Sequence, residues 1–214
     1  YITDIEEPDY SSDEYLDQVD NDIESLNSGG FYYRHKKEWD GELPASLKEA
    51  IYCFYLANAI RDLRGQNSAP RSMLINMSRF IKVQHVITEH VERIHEKVFD
   101  DIRFNFCDSN TDNRKLPLYQ IFEKLWKKHF SHVTDITFER VIQKQNIMEA
   151  IEKIKVVVVN GSNKSKSLDY RTNKSLRVIA VGGLALSRGL TLEGLLVSYF
   201  YRNTSTFDVL MQMG

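Results

Sequence analysis

The chain predicts an α/β fold built on a mostly parallel sheet. Three observations carry that expectation. Short apolar runs at 72–77, 155–160, 176–181 and 195–201 are rich in Val, Ile and Leu and do not alternate with polar residues, as strands buried on both faces do. Helix-period segments separate several of them. Polar or glycine-bearing turns follow the runs at Ser78-Arg79, at 161–166 and at Gly182-Gly183.

Taken in order, residues 1–42 show no sustained period and read as an acidic linker or surface strap. The first thirty residues hold ten acids and no Lys or Arg, so the net charge of −2 conceals a body with 28 basic against 20 acidic residues. Such a body is compatible with a nucleic-acid partner, though a solvated surface explains it equally. A strap that mimics nucleic-acid charge over a basic groove is the sharper alternative.

Residues 44–64 predict a helix, begun either by Pro44 in its first turn or by Ser46 as a cap with Glu49 at capping-box spacing, and closed by Gly65. Its apolar residues nearly encircle it, which predicts burial. A strand at 72–77 leads through Ser78-Arg79 into a helix at 80–98. The stretch 100–117 reads as irregular. Two helices, 118–130 and 137–154, look like a helical insertion spanning about 100–154. Strands at 155–160, 176–181 and 195–201 follow, then a helix from about 205.

Ligands of doubly wound sheets bind beyond the carboxyl ends of the strands. That places three candidate loops together: Ser78-Arg79, 161–166 and 182–194. The last is the most informative, because a glycine pair after a strand lets backbone approach a ligand and an arginine between serine and glycine can reach phosphate.

The segment VIAVGGLALSRGLTLEGLLVSYFYRNTSTFDVLMQMG (178–214) resembles the Z1 domain found in proteins named as endonucleases, and RSMLINMSRFIKVQ (71–84) and LPASLKEAIYCFYLANAIRDLRG (43–65) resemble it in the same order. The resemblance implies a RecA-like domain, the second of the pair in superfamily-two helicases and translocases (P-loop NTPase helicase C-terminal-like), over 43–214. On that basis Ser78 and Arg79, with Gly182, Gly183 and Ser187, are the expected nucleic-acid backbone contacts. Arg188 and Gln212 are the expected catalytic residues, and Gly189, Thr191 and Glu193 are expected at the ATP cleft. Thr191 stands where many relatives place a ribose-contacting Asp, with Glu193 as a possible substitute. Gln212-Met213-Gly214 looks like the opening of the last helicase motif, whose arginines would follow.

The implied cofactors are ATP and Mg2+ in the full-length protein, none held by these residues alone. The implied partners are DNA, an upstream RecA-like domain with the phosphate-binding loop, and a nuclease domain or subunit. The implied function is the C-terminal half of a DNA-dependent ATPase in a restriction or phage-defence system. The alternative is a non-catalytic interaction module that keeps the fold.

Several absences shape these expectations. There is no GxxxxGK[ST] loop: in 161–167 Ser165 replaces the second glycine and Gly161 is one residue too near Lys166. No lysine has an acid two residues before it, which argues against a restriction-type nuclease centre. His85, His90 and His95 are separated by about 140° of helical rotation each and do not share a face, so no metal site is expected. His129 and His132 lack an evident third ligand. Cys53 and Cys107, without CxxC spacing, fit a reducing cytoplasm. No apolar run approaches the roughly 20 residues of a membrane span, and the acidic opening predicts no secretory signal.

Overall fold

The computed structural model describes residues 39, 41–78, 80–159, 168–170, 172–182 and 192–200. They form an α/β fold around a four-stranded, all-parallel sheet. In chain order the elements are α1 (Ala45–Leu63), β1 (Arg71–Asn76), α2 (Ile81–Asn105), α3 (Asn110–Asn113), α4 (Pro117–His129), α5 (Phe138–Val141), α6 (Lys144–Glu152), β2 (Ile154–Val159), β3 (Arg177–Gly182) and β4 (Leu195–Phe200). The strand order is β2-β3-β1-β4. The two central strands are the two that are buried at every position, which is why their sequences do not alternate.

Helix α1 is buried along most of its length, as its encircling apolar residues predict. Pro44 occupies the position before its first turn. Ser46 makes no cap: it lies inside the first turn, and its hydroxyl meets the Tyr199 hydroxyl at 2.7 Å, joining α1 to the edge strand β4. Glu49 pairs instead with Lys128 of α4 at 3.3 Å. Gly65 closes the helix in the left-handed region, φ 73°, with its N–H donated to the Asp62 carbonyl.

Two expected boundaries are corrected. Helix α2 continues to Asn105, because Val98 and Ile102 prolong the buried stripe of Val83, Ile87 and Val91 through the acidic Asp100-Asp101. The expected helix over 137–154 is two, α5 and α6. Between them Gln143 turns extended, and Asn146 donates to the Arg140 carbonyl at 2.7 Å, stabilising the break. The chain between α2 and α4 is pinned by Asn113, whose amide both accepts from Cys107 N–H (2.7 Å) and donates to its carbonyl (2.8 Å).

The described helices pack on one face of the sheet. Met73, Ile75, Ile179, Val181 and Tyr199 share a single apolar core with α1 and α2, and Phe122, Trp126, Phe138 and Ile151 of the later helices belong to that same core. The other face carries a smaller cluster of Leu74, Val159, Val178 and Ala180, covered by Leu168, Tyr170 and Leu192. The helix expected from about 205 lies outside the described residues. Among the described residues, no helix is long and apolar enough to cross a membrane.

At the amino edge of the sheet, one carboxylate holds two buried arginines. Arg71 and Arg177 are direct partners across β1 and β3. Asp62, in the last turn of α1, accepts from Arg71 Nη2 at 2.8 Å and from both terminal nitrogens of Arg177 at 2.7 and 2.6 Å. Arg71 Nη1 and Nη2 also donate to the Asn58 and Gln66 carbonyls at 2.8 and 2.7 Å, while its Nε has no hydrogen-bond partner among the described residues. Burial pulls the Arg71 guanidinium below its ordinary range, and the hydrogen bond from Asp62 opposes that pull. A second polar contact ties α1 to α2: the Tyr55 hydroxyl meets His95 Nδ1 at 3.1 Å. Burial raises the phenol's pKa and lowers that of the imidazole, so both partners of this contact are held neutral.

Two outcomes follow from this packing. Asp62→Asn leaves two buried guanidinium charges without a counter-charge and should destabilise the chain by about 3–5 kcal/mol in urea unfolding. Burial also holds His95, His90 and His129 below the ordinary histidine value of 6.5. The folded state therefore favours the neutral rings. Stability is complete above about pH 6.5 and falls as the pH drops below it, and His95→Gln should flatten that fall in melting curves across the acid range.

Candidate functional site

The carboxyl edge of the sheet is where a parallel α/β fold presents backbone to a ligand. Strands β1 and β3 are neighbours, and Ile75 pairs with Val181, so Asn76 and Gly182 end side by side. Ser78 follows two residues after β1. It is buried, 3% exposed, because its turn is fixed on both sides. Its Oγ accepts the Phe80 N–H at 3.0 Å, and its carbonyl accepts from Gln84 Nε2 at 3.0 Å. Thr88 donates in turn to the Gln84 carbonyl at 2.8 Å. The Gln84 Oε1 atom is buried with no hydrogen-bond partner among the described residues.

A strand and a helix thus flank Ser78, in the order the sequence predicts. Helix α2 starts at Ile81, immediately after the turn, so its amino terminus and the positive end of its dipole lie at the carboxyl edge. A residue larger than glycine at 182 would stand on this edge beside Asn76.

Of the expected site residues, Ser78 and Gly182 both lie at this carboxyl edge. Arg79, Gly183, Ser187, Arg188, Gly189, Thr191 and Gln212 lie outside the described residues, as does the 161–166 loop. Glu193 is placed elsewhere. Its carbonyl accepts from Ser72 Oγ at 2.8 Å, and the next carbonyl, of Gly194, accepts the Ser72 N–H at 2.9 Å. Ser72 is the second residue of β1, so Glu193 sits at the amino edge, about 20 Å from Ser78 at the rise of an extended strand.

That amino-edge junction is tightly built. Gly194 has φ 65°, and a Cβ there would lie 1.9 Å from the Pro70 carbonyl oxygen. Ser72 Oγ also meets the Tyr170 hydroxyl at 2.8 Å, and burial raises the Tyr170 phenol's pKa. These contacts escaped the sequence reading. Their signal is a glycine directly before an apolar run, which marks a left-handed start to a strand.

His90, His95 and Cys53 take structural places. His90 packs against Trp39 with ring centroids 6.0 Å apart, and His95 against Tyr55. Cys53 is buried in α1, and burial, reinforced by Glu49, pushes its thiol up to about 12. It packs as a small apolar group rather than serving as a nucleophile. Among the described residues, no group of three His, Cys, Asp or Glu side chains is placed to hold a metal ion.

Residues 46–214 match the family model of the Z1 domain. The chain belongs to the Z1 domain family. No curated protein and no solved structure matches it. The family match spans both the Ser78 turn and the Gly182 strand end, so the Z1 domain includes the edge described above.

Gly194→Ala should destabilise this Z1 domain by about 1–3 kcal/mol, since the substitution forces both a left-handed alanine and a shift of Pro70. Urea unfolding measures the loss. Gly65→Ala, where nothing lies within 4 Å of an added Cβ, should cost less.

Proposed function

We propose that this Z1 domain is the C-terminal RecA-like half of a DNA-dependent ATPase or translocase that works with a restriction or phage-defence endonuclease. One observation carries the reading: the parallel register of β1 and β3 sets the Ser78 turn beside Gly182 at the carboxyl edge, with the amino terminus of α2 at the same edge. An all-parallel sheet in the order β2-β3-β1-β4 is compatible with a RecA-like domain.

In this reading the edge holds a nucleic-acid strand by its phosphates. Ser78, Arg79, Gly182, Gly183 and Ser187 make the contacts, and affinity comes without choice of sequence. Arg188 and Gln212 act on the ATP side, with Gly189 and Thr191 lining the cleft. The phosphate-binding lysine and the magnesium-binding acids belong to an upstream RecA-like domain, in keeping with a chain that has no GxxxxGK[ST] loop. ATP with Mg2+ would supply the γ-phosphate and its charge neutralisation between the two domains. This chain's part is to position the strand and to lend cationic and backbone groups to the cleft.

A second reading, a non-catalytic interaction module, is favoured by Glu193. Thr191 replaces the ribose-contacting acid of many helicase relatives, and the nearest carboxylate along the chain, Glu193, stands at the opposite edge of the sheet.

ATP turnover with and without DNA, on a polypeptide that also carries an upstream phosphate-binding domain, separates the two. DNA-stimulated turnover that Arg188→Ala lowers by about a hundredfold or more, without loss of folding, is the expected result. DNA affinity should fall steeply with added salt. Unchanged turnover in Arg188→Ala, or none in the unaltered protein, favours the interaction module.

A further inference from the structure

A cleft of about 340 Å³ opens at the amino edge of the sheet, on the side of β2 and away from Ser78 and Gly182. Lys153, Lys155, Arg177, Asn67, Asn173 and Ser175 line it, and no carboxylate does among the described residues. Lys153 ends α6 in a helical conformation and Lys155 is the second residue of the edge strand β2, and both line the cleft. Both are exposed, and neither has an ion-pair partner among the described residues. Asn173 Oδ1 accepts from the N–H and the hydroxyl of Ser175, both at 3.2 Å, so the polar group Asn173 can turn to a ligand is its amide NH2.

The buried charges behind this cleft do not cancel. Arg71 and Arg177 share the single carboxylate of Asp62, which leaves one positive charge in excess. Arg177 is 2% exposed and its Nε has no hydrogen-bond partner among the described residues. A net positive charge in a poorly solvated region projects into the adjacent cleft more strongly than the same charge on an open surface. Lysines without ion-pair partners, the amide donors of Asn67 and Asn173, and the excess positive charge of the Arg71–Arg177–Asp62 cluster together favour an anion with several acceptor oxygens.

We propose that this cleft binds a phosphate group, either free or as a single phosphate of a polynucleotide. The site stands apart from the carboxyl edge and does not depend on the function proposed for it.

The test is a titration of the 214-residue chain with inorganic phosphate, against chloride at matched ionic strength, followed by the backbone amide signals of Asn67, Asn173 and Ser175. Saturable shifts with phosphate and not with chloride are expected, weakened about tenfold or more in Lys153→Gln/Lys155→Gln, while Lys97→Gln on the far surface of α2 binds as before. Thermal melting of each variant shows that its fold is retained, and Lys155→Gln alone provides the milder change. A short oligothymidylate serves as the second arm. If it moves the same signals at concentrations at least about tenfold lower than phosphate, and does so less in the double variant, the source is a polynucleotide. If it leaves them in place, the source is free phosphate. Chloride reproducing the shifts, or phosphate affinity unchanged in the double variant, overturns the site.

Discussion

The carboxylate of Asp62 is the constraint on which the rest of this fold depends. It sits in the last turn of α1 and grips the first residue of each central strand, so three elements that are far apart in the chain share one anchor. The apolar core above it is non-directional: Leu, Ile and Val would tolerate a strand shifted along its neighbour. The charged cluster is directional. Arg71 and Arg177 can reach one carboxylate together only when they are direct partners, and that pairing sets the register for every residue above them. The carboxyl edge owes its geometry to this anchor, since Asn76 and Gly182 finish side by side only because Arg71 and Arg177 begin side by side.

Buried ion pairs are costly to form, and an apolar replacement of the whole cluster could match their contribution to stability. What such a replacement would lose is specificity of register. The geometry supports that role, because the guanidinium of Arg71 also satisfies the Asn58 and Gln66 carbonyls at the end of α1 and in the turn after it. Helix end, turn and strand start are therefore fixed as one piece.

Much of the architecture was legible in the residues. Pro44 and Gly65 bracket α1 because proline starts and glycine ends helices for simple steric reasons. The valine-rich runs are parallel strands within one residue of their expected bounds. The overextended reading of 137–154 and the shortened α2 have a common cause: a break costs little where a side chain such as Asn146 caps it, and two acids do not end a helix whose apolar stripe goes on. The charged cluster was not legible, since Asp62 and Arg177 lie 115 residues apart and a charged residue is by default read as solvated. The candidate site was legible only where it is local. Ser78 lies two residues beyond β1, and Gly182 is the last residue of β3. Glu193 is expected at the same edge because it shares the loop that begins at Gly182, but a loop joining two parallel strands must travel from the carboxyl edge back to the amino edge. Residues at its two ends are therefore separated by the length of the sheet.

The junction at Gly194 isolates strand β4 from the segment that leads into it. Ser72 receives the carbonyls of Glu193 and Gly194 through its hydroxyl and its N–H, and Pro70 fills the space where a side chain would be. Strand β4 is consequently registered by β1 rather than by the length or path of the preceding chain. The position of this edge strand is thus carried by contacts at its first residues, at the end of the sheet opposite to Ser78.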